Sequence, residues 1–168
     1  RINALAGGTD VYILVEKGGK IIADGTADNP ILFTSNATNP QAGDWGGIIL
    51  NGKAPLSRQT GSDSNSASEV NTAILYGGAI AEDNSGILNY VKIEYSGARI
   101  DDEAEHNGLT LNGVGSGTTI SNIAILNGDD DAIEFFGGTV NATNILVVNA
   151  KDDMFDFTQG YVGTYHLL

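Results

Sequence analysis

The chain has no cysteine, one methionine, one tryptophan and only 3 prolines among its 168 residues. Without cysteine it has neither a disulfide framework nor a thiolate metal site. Lys and Arg number 8 against 21 Asp and Glu, a formal net charge of −13. A field of that sign repels nucleic acid and anionic membrane surfaces, so neither is an expected partner. No apolar run approaches the ~20 residues of a membrane span. The chain opens at Arg1 without a secretory leader and stops at Leu168, inside what reads as a strand from Val162. We expect a mature or trimmed piece of a longer secreted or cell-surface protein.

What the chain does hold is glycine, 23 residues, with apolar content at 41%. So many Gly, Asn, Asp and Thr residues suit closely spaced turns and disfavour helix. Residues 117–160 repeat with a period of 22. Asn122-Ile123-Ala124-Ile125-Leu126-Asn127 overlays Asn144-Ile145-Leu146-Val147-Val148-Asn149, and Asp130-Asp131-Ala132-Ile133-Glu134-Phe135 overlays Asp152-Asp153-Met154-Phe155-Asp156-Phe157. Short β runs and tight turns repeating every 20–25 residues or so indicate a β-solenoid, in which one coil buries its apolar face only against the next. The expected fold is all-β: a single-stranded right-handed parallel β-helix of about five coils, forming one domain over residues 1–168.

Three runs, Val11–Val15, Lys20–Ala23 and Pro30–Thr34, make the first coil, and Asp44-Trp45-Gly46-Gly47 opens the second. Two polar stretches interrupt the period, near 52–72 and 99–106. The first has too few apolar residues to pack and is expected to leave the stack as a mobile loop. Further on, Leu88, Val91 and Ile93 match Ile120, Ile123 and Ile125. Leu109-Thr110-Leu111, Ile133-Glu134-Phe135 and Phe155-Asp156-Phe157 are equivalent triplets. Side chains alternate along a strand, so the outer members of each triplet should form a stacked internal core. Thr110, Glu134 and Asp156 should form an external ladder at ~4.8 Å per coil.

Several blocks resemble a large group of secreted bacterial right-handed β-helix proteins, found as lipoproteins or as cargo with a C-terminal sorting domain. They are Gly18 through Ile31, Trp45-Gly46-Gly47-Ile48-Ile49-Leu50-Asn51-Gly52, Glu82 through Leu88, Asn107-Gly108-Leu109-Thr110-Leu111, Gly113 through Ile120, and Phe135 through Asn141. The resemblance implies the fold and an extracytoplasmic location, and it implies no catalytic residues.

The sharpest candidate site is acidic. Asp129, Asp130 and Asp131 sit one coil from Asp152 and Asp153, with Glu134 and Asp156 on adjoining outward positions. Stacked carboxylates ~5 Å apart repel one another, and Ca²⁺, which takes six to eight oxygens at about 2.3–2.6 Å, would offset that repulsion. Two other readings stand beside Ca²⁺: Asp pairs that cap turns by accepting backbone N–H bonds, and catalysis. Gly128-Asp129-Asp130-Asp131-Ala132-Ile133 is similar to the aspartate-pair coil of polygalacturonases, whose carboxylates act as acid and base. Only Lys151 and His166 supply cationic character later in the chain. His106 beside Glu103 and Glu105, with Asp101 and Asp102, reads as a metal cluster or, more simply, as a solvated charge run. Trp45, Tyr76, Tyr90, Tyr95 and Tyr161 are candidates for sugar-stacking platforms, with Trp45, before Gly46-Gly47, expected instead to pack at a coil corner.

The resulting expectation is a non-catalytic extracellular module, structural, adhesive or glycan-binding, whose open ends would allow head-to-tail self-association into filaments. The alternative is a Ca²⁺-assisted glycoside hydrolase or polysaccharide lyase. Expected partners are a glycan or a cell-surface or matrix component.

Overall fold

Frequent turn residues leave room only for short strands, and the computed structural model, which describes residues 1–57, 65–100 and 105–167, is built from them. In chain order they are β1 (Ile2–Ala4), β2 (Ile13–Val15), β3 (Ile21–Asp24), β4 (Ile31–Ser35), β5 (Ile48–Asn51), β6 (Ser66–Ser68) and β7 (Asn71–Tyr76). There follow β8 (Gly86–Glu94), β9 (Leu109–Asn112), β10 (Thr119–Leu126), β11 (Ile133–Phe136), β12 (Asn141–Val148), β13 (Phe155–Thr158) and β14 (Tyr165–Leu167).

Parallel pairing stacks β2, β5, β9, β11 and β13 into one five-stranded sheet, one strand per coil. A second sheet runs β1-β4-β8-β10-β12-β14, with β3 also on β8. That sheet is folded along a line. Tyr90, Asn122 and Asn144 take φ of 48°, 54° and 56°, a left-handed step that turns β8, β10 and β12 around a corner. Accordingly β3 pairs with the first half of β8 and β4 with the second. The stack is a parallel β-helix with three faces.

Asn tolerates the left-handed step better than most residues, and stacked coils add a second use for it. Asn144 Nδ2 donates to Asn122 Oδ1 at 3.0 Å, and Asn149 Nδ2 donates to Asn127 Oδ1 at 3.0 Å. The asparagines that frame the sequence repeat therefore form polar ladders along two corners.

The expected register is found: Ile123 lies beside Val91 and Ile145, and Ile133 beside Leu109 and Phe155. Ile48, Leu50, Leu109, Leu111, Ile133 and Phe135 are fully buried in the continuous core. The last coil differs. Phe155 is only half-buried and Phe157 is 38% exposed: among the described residues Phe155 meets the ring of Tyr165, and Phe157 those of Phe135, Tyr161 and Tyr165. Burial here depends on having a coil on both sides.

The stretch expected to be a mobile loop also differs. Residues 52–57 stay on the stack: Ala54 N–H donates to Gly113 O at 2.8 Å, Ser57 N–H to Gln159 O at 2.8 Å, and Leu56 is buried. Strands β6 and β7 then form an antiparallel hairpin. Tyr76 at its end packs with Leu56 and Phe136 in a second small core, its ring 6.2 Å from that of Phe136. Thr110, expected on the outside, is only 6% exposed and receives a hydrogen bond from Asn107 Nδ2 at 3.3 Å, and outward Ile49 is 1% exposed. The second excursion is pinched at its base by an antiparallel bridge between Arg99 and Glu105. Asp101, Asp102 and Glu103 lie outside the described residues.

Candidate functional site

The turn that leads into β11 carries Asp129, Asp130 and Asp131, and the equivalent turn into β13 carries Asp152 and Asp153. Parallel stacking at one coil spacing brings them together, but not all to the same purpose. Asp129 is neutralised: Lys151 Nζ bonds its Oδ1, and Arg99 Nε lies 3.9 Å from its Oδ2. Asp153 contributes its backbone, whose N–H donates to Asp131 Oδ1 at 2.8 Å. That bond is the turn-capping role expected of Asp, made between coils.

The three that converge are Asp130, Asp131 and Asp152, each offering an oxygen within 4.8 Å of the others. Two oxygens on opposite sides of one Ca²⁺ lie at most about 5 Å apart, so the spacing fits a shared ion. Asp130 is buried, Asp131 half-buried and Asp152 exposed, so the cluster opens to solvent on one side.

The electrostatics show strain. Burial raises the Asp130 carboxyl well above the usual carboxylate range, and a hydrogen bond with Glu105 favours its protonated form further. Arg99 lies across both acids, 3.4 Å from Asp130 and 3.2 Å from Glu105, but it is itself half-exposed and shares its charge with water. Asp131 is raised to about 6, chiefly by burial and then by the charges of Asp156, Asp152 and Asp153, against the opposing Asp153 N–H bond.

Glu134 is the most perturbed. Burial and the nearby charge of Glu69 push it up to about 9, although Asn107 Nδ2 donates to its Oε2 at 2.7 Å. It is therefore a neutral carboxylic acid at pH 7. Asp156 stacks beside it on β13 and acts on it as a like charge.

Glu69, Asn107, Arg99 and Glu105 complete the surroundings, and of these only Glu105 belongs to a cluster legible in the sequence. Glu69 stands in the β6–β7 turn, which the repeat does not position. Asn107 had a signal, since it opens a block of the expected motif. Its Oδ1 is buried with no hydrogen-bond partner among the described residues.

His106 leaves the acidic run altogether. It is fully buried, its Nε2 3.1 Å from Thr9 O and its ring 4.9 Å from that of Tyr12. Gly46 makes room, since a Cβ there would come within 2.7 Å of the imidazole. Burial lowers its pKa, so it is a neutral packing residue rather than a solvated charge. Trp45 is likewise buried at a coil corner, with its Nε1 donating to Glu94 O at 2.8 Å.

A family model described as a pectate-lyase-like beta helix domain matches residues 1–168. The chain belongs to that family. No curated protein and no solved structure matches it. Family membership agrees with the stacked parallel sheets, and a β-helix scaffold by itself assigns no reaction.

Proposed function

We propose that this β-helix is an extracellular, non-catalytic glycan-binding module whose acidic corner is completed by Ca²⁺. The observation that carries the reading is the convergence of Asp130, Asp131 and Asp152, with burial holding two of them above the carboxylate range. A divalent cation offsets that cost directly and favours the ionised forms. Asp129 is already balanced by Arg99 and Lys151, so the ion is assigned to the other three. By joining the turns of two successive coils, the ion would stiffen the stack where carboxylates otherwise repel.

The test is thermal unfolding with and without a chelator. Chelation should lower the melting temperature by several degrees, and the Asp130→Asn/Asp152→Asn double variant should lose that sensitivity. A melting temperature indifferent to both chelator and millimolar Ca²⁺ would leave turn capping as the whole role of these residues.

A second reading rests on Glu134 alone. A carboxyl pushed up to about 9 beside the carboxyl groups of Asp156 and Glu69 is the pattern of a general acid with a carboxylate partner. In that reading the chain hydrolyses a neutral oligosaccharide. Incubation with neutral oligosaccharides tests it: turnover abolished by Glu134→Gln would support the enzyme, and no turnover would remove it.

A further inference from the structure

The chain's few cations are unevenly employed. Among the described residues Lys92 pairs with Glu94, Arg99 with Asp129, Asp130 and Glu105, and Lys151 with Asp129. Lys17 and Lys53 are half-buried and have no acid partner among the described residues. Both line one cavity of about 280 Å³, together with Asn65 and the segment Gly77-Gly78-Ala79-Ile80. Lysine is strongly hydrated and normally extends into water. Two of them drawn into one concavity, in a protein of charge −13, form its conspicuous positive feature.

The cavity is held in shape. Lys17 Nζ donates to Gly77 O at 3.3 Å and to Asn65 Oδ1. Lys53 Nζ lies over Gly18, where a Cβ would approach it to 3.0 Å. The backbone between them is tied to the coil beneath, with Gly77 N–H donating to Gly52 O at 2.9 Å and Ile80 N–H to Lys53 O at 2.9 Å. Ile80, 51% exposed, adds an apolar wall. A neighbouring cavity shares Lys17 and continues along Glu16, Ala73, Ile74 and Leu75, with Leu75 46% exposed. The cleft therefore runs between the β6–β7 hairpin and the first two coils. Its cationic centre is flanked by apolar patches and by one carboxylate able to accept hydroxyl bonds.

We propose that this cleft binds an acidic oligosaccharide, with Lys17 and Lys53 holding a carboxylate or sulfate substituent and Ile80 and Leu75 meeting the faces of adjacent sugar rings. The proposal rests on the glycan-binding reading above and deepens it. A cavity of about 280 Å³ falls just below the ~300–1,000 Å³ of small-molecule sites, which suits one substituted sugar unit at the cationic centre. The surrounding negative field selects against densely charged polymers, so the ligand carries isolated anionic groups between neutral sugars.

Isothermal titration separates the outcomes, using a glucuronic-acid-containing disaccharide, a neutral glucose disaccharide and inorganic sulfate, each with Ca²⁺ and with chelator. Lys53→Met is the first variant, because its Nζ has no hydrogen bond among the described residues and its loss strands no buried acceptor. Lys17→Gln is the second, with melting temperature checking the fold of both. The acidic disaccharide should bind the unmodified protein and lose at least tenfold in affinity in either variant, with the neutral disaccharide silent. Unchanged affinity in both folded variants would overturn the cleft, as would inorganic sulfate binding as tightly as the disaccharide. Lysine-insensitive binding of either disaccharide would keep the glycan reading and discard this site, whereas no binding of any saccharide would discard both. Loss of Ca²⁺ dependence alone would touch only the acidic corner.

Discussion

Leu111 and Phe135 face the interior of the solenoid, while Thr110 and Glu134, one residue away on the same strands, face out and lie against Asn107. The inner column is uniform: every coil contributes an aliphatic or aromatic residue, and the middle coils exclude water. The outer column changes character along the stack, from Leu14 and Ile49 through Thr110 to Glu134 and Asp156. A period of two thus places scaffold and chemistry on adjacent residues of one strand. The inner residue is constrained by the coils above and below. Its outer neighbour is free of that stacking constraint and takes its partners from outside the column, as Glu134 does from Asn107, and there the acids gather.

The inner column offers the largest effect. Phe135→Ala leaves a cavity between two coils and should cost about 3–5 kcal/mol in chemical denaturation. Phe157→Ala removes the same side chain from a coil covered on one face and should cost only about 1–2 kcal/mol. Equal losses would mean that the last coil is covered in solution by something further.

The outer column should instead respond to pH. Glu134 is raised from 4.5 to about 9 and Asp131 from 3.8 to about 6. A raised carboxyl contributes its full stability below its unfolded value and loses it progressively as pH rises to the folded value, because only the unfolded chain releases the proton in that window. In chelator the melting temperature should therefore fall between pH 5 and pH 9. Glu134→Gln, which cannot ionise, should flatten most of that slope, and a variant with the same slope would place the titration elsewhere. Smallest of all, Lys92→Ala should shift stability by less than about 0.5 kcal/mol, since its pair with Glu94 is 41% exposed at the lysine.

How much the sequence revealed follows the same division. The 22-residue spacing and the alternation of Ile133-Glu134-Phe135 determine the register, since a one-residue slip would turn Phe135 outward. Asp130, Asp131 and Asp152 were legible as a cluster for the same reason. The hairpin was not: Asn71 to Tyr76 has no counterpart in the adjoining coils, and its partner surface, Leu56 and Phe136, is remote in sequence. Consequently the placement of Glu69 near Glu134 did not follow from the repeat. His106 lay hidden in a charged run because its burial depends on Gly46 and Tyr12 in earlier coils.

The central claim is that the stacked carboxylates are completed by an ion, and calorimetric titration of Ca²⁺ into chelator-treated protein tests it most directly. The account predicts one Ca²⁺ per chain, with a Kd on the order of 10⁻⁴ to 10⁻³ M, as in extracellular modules. It also predicts at least a tenfold loss of affinity in Asp131→Asn and little change in Asp153→Asn, whose side chain lies outside the converging set. No binding heat up to several millimolar Ca²⁺, or equal loss in both variants, would contradict it.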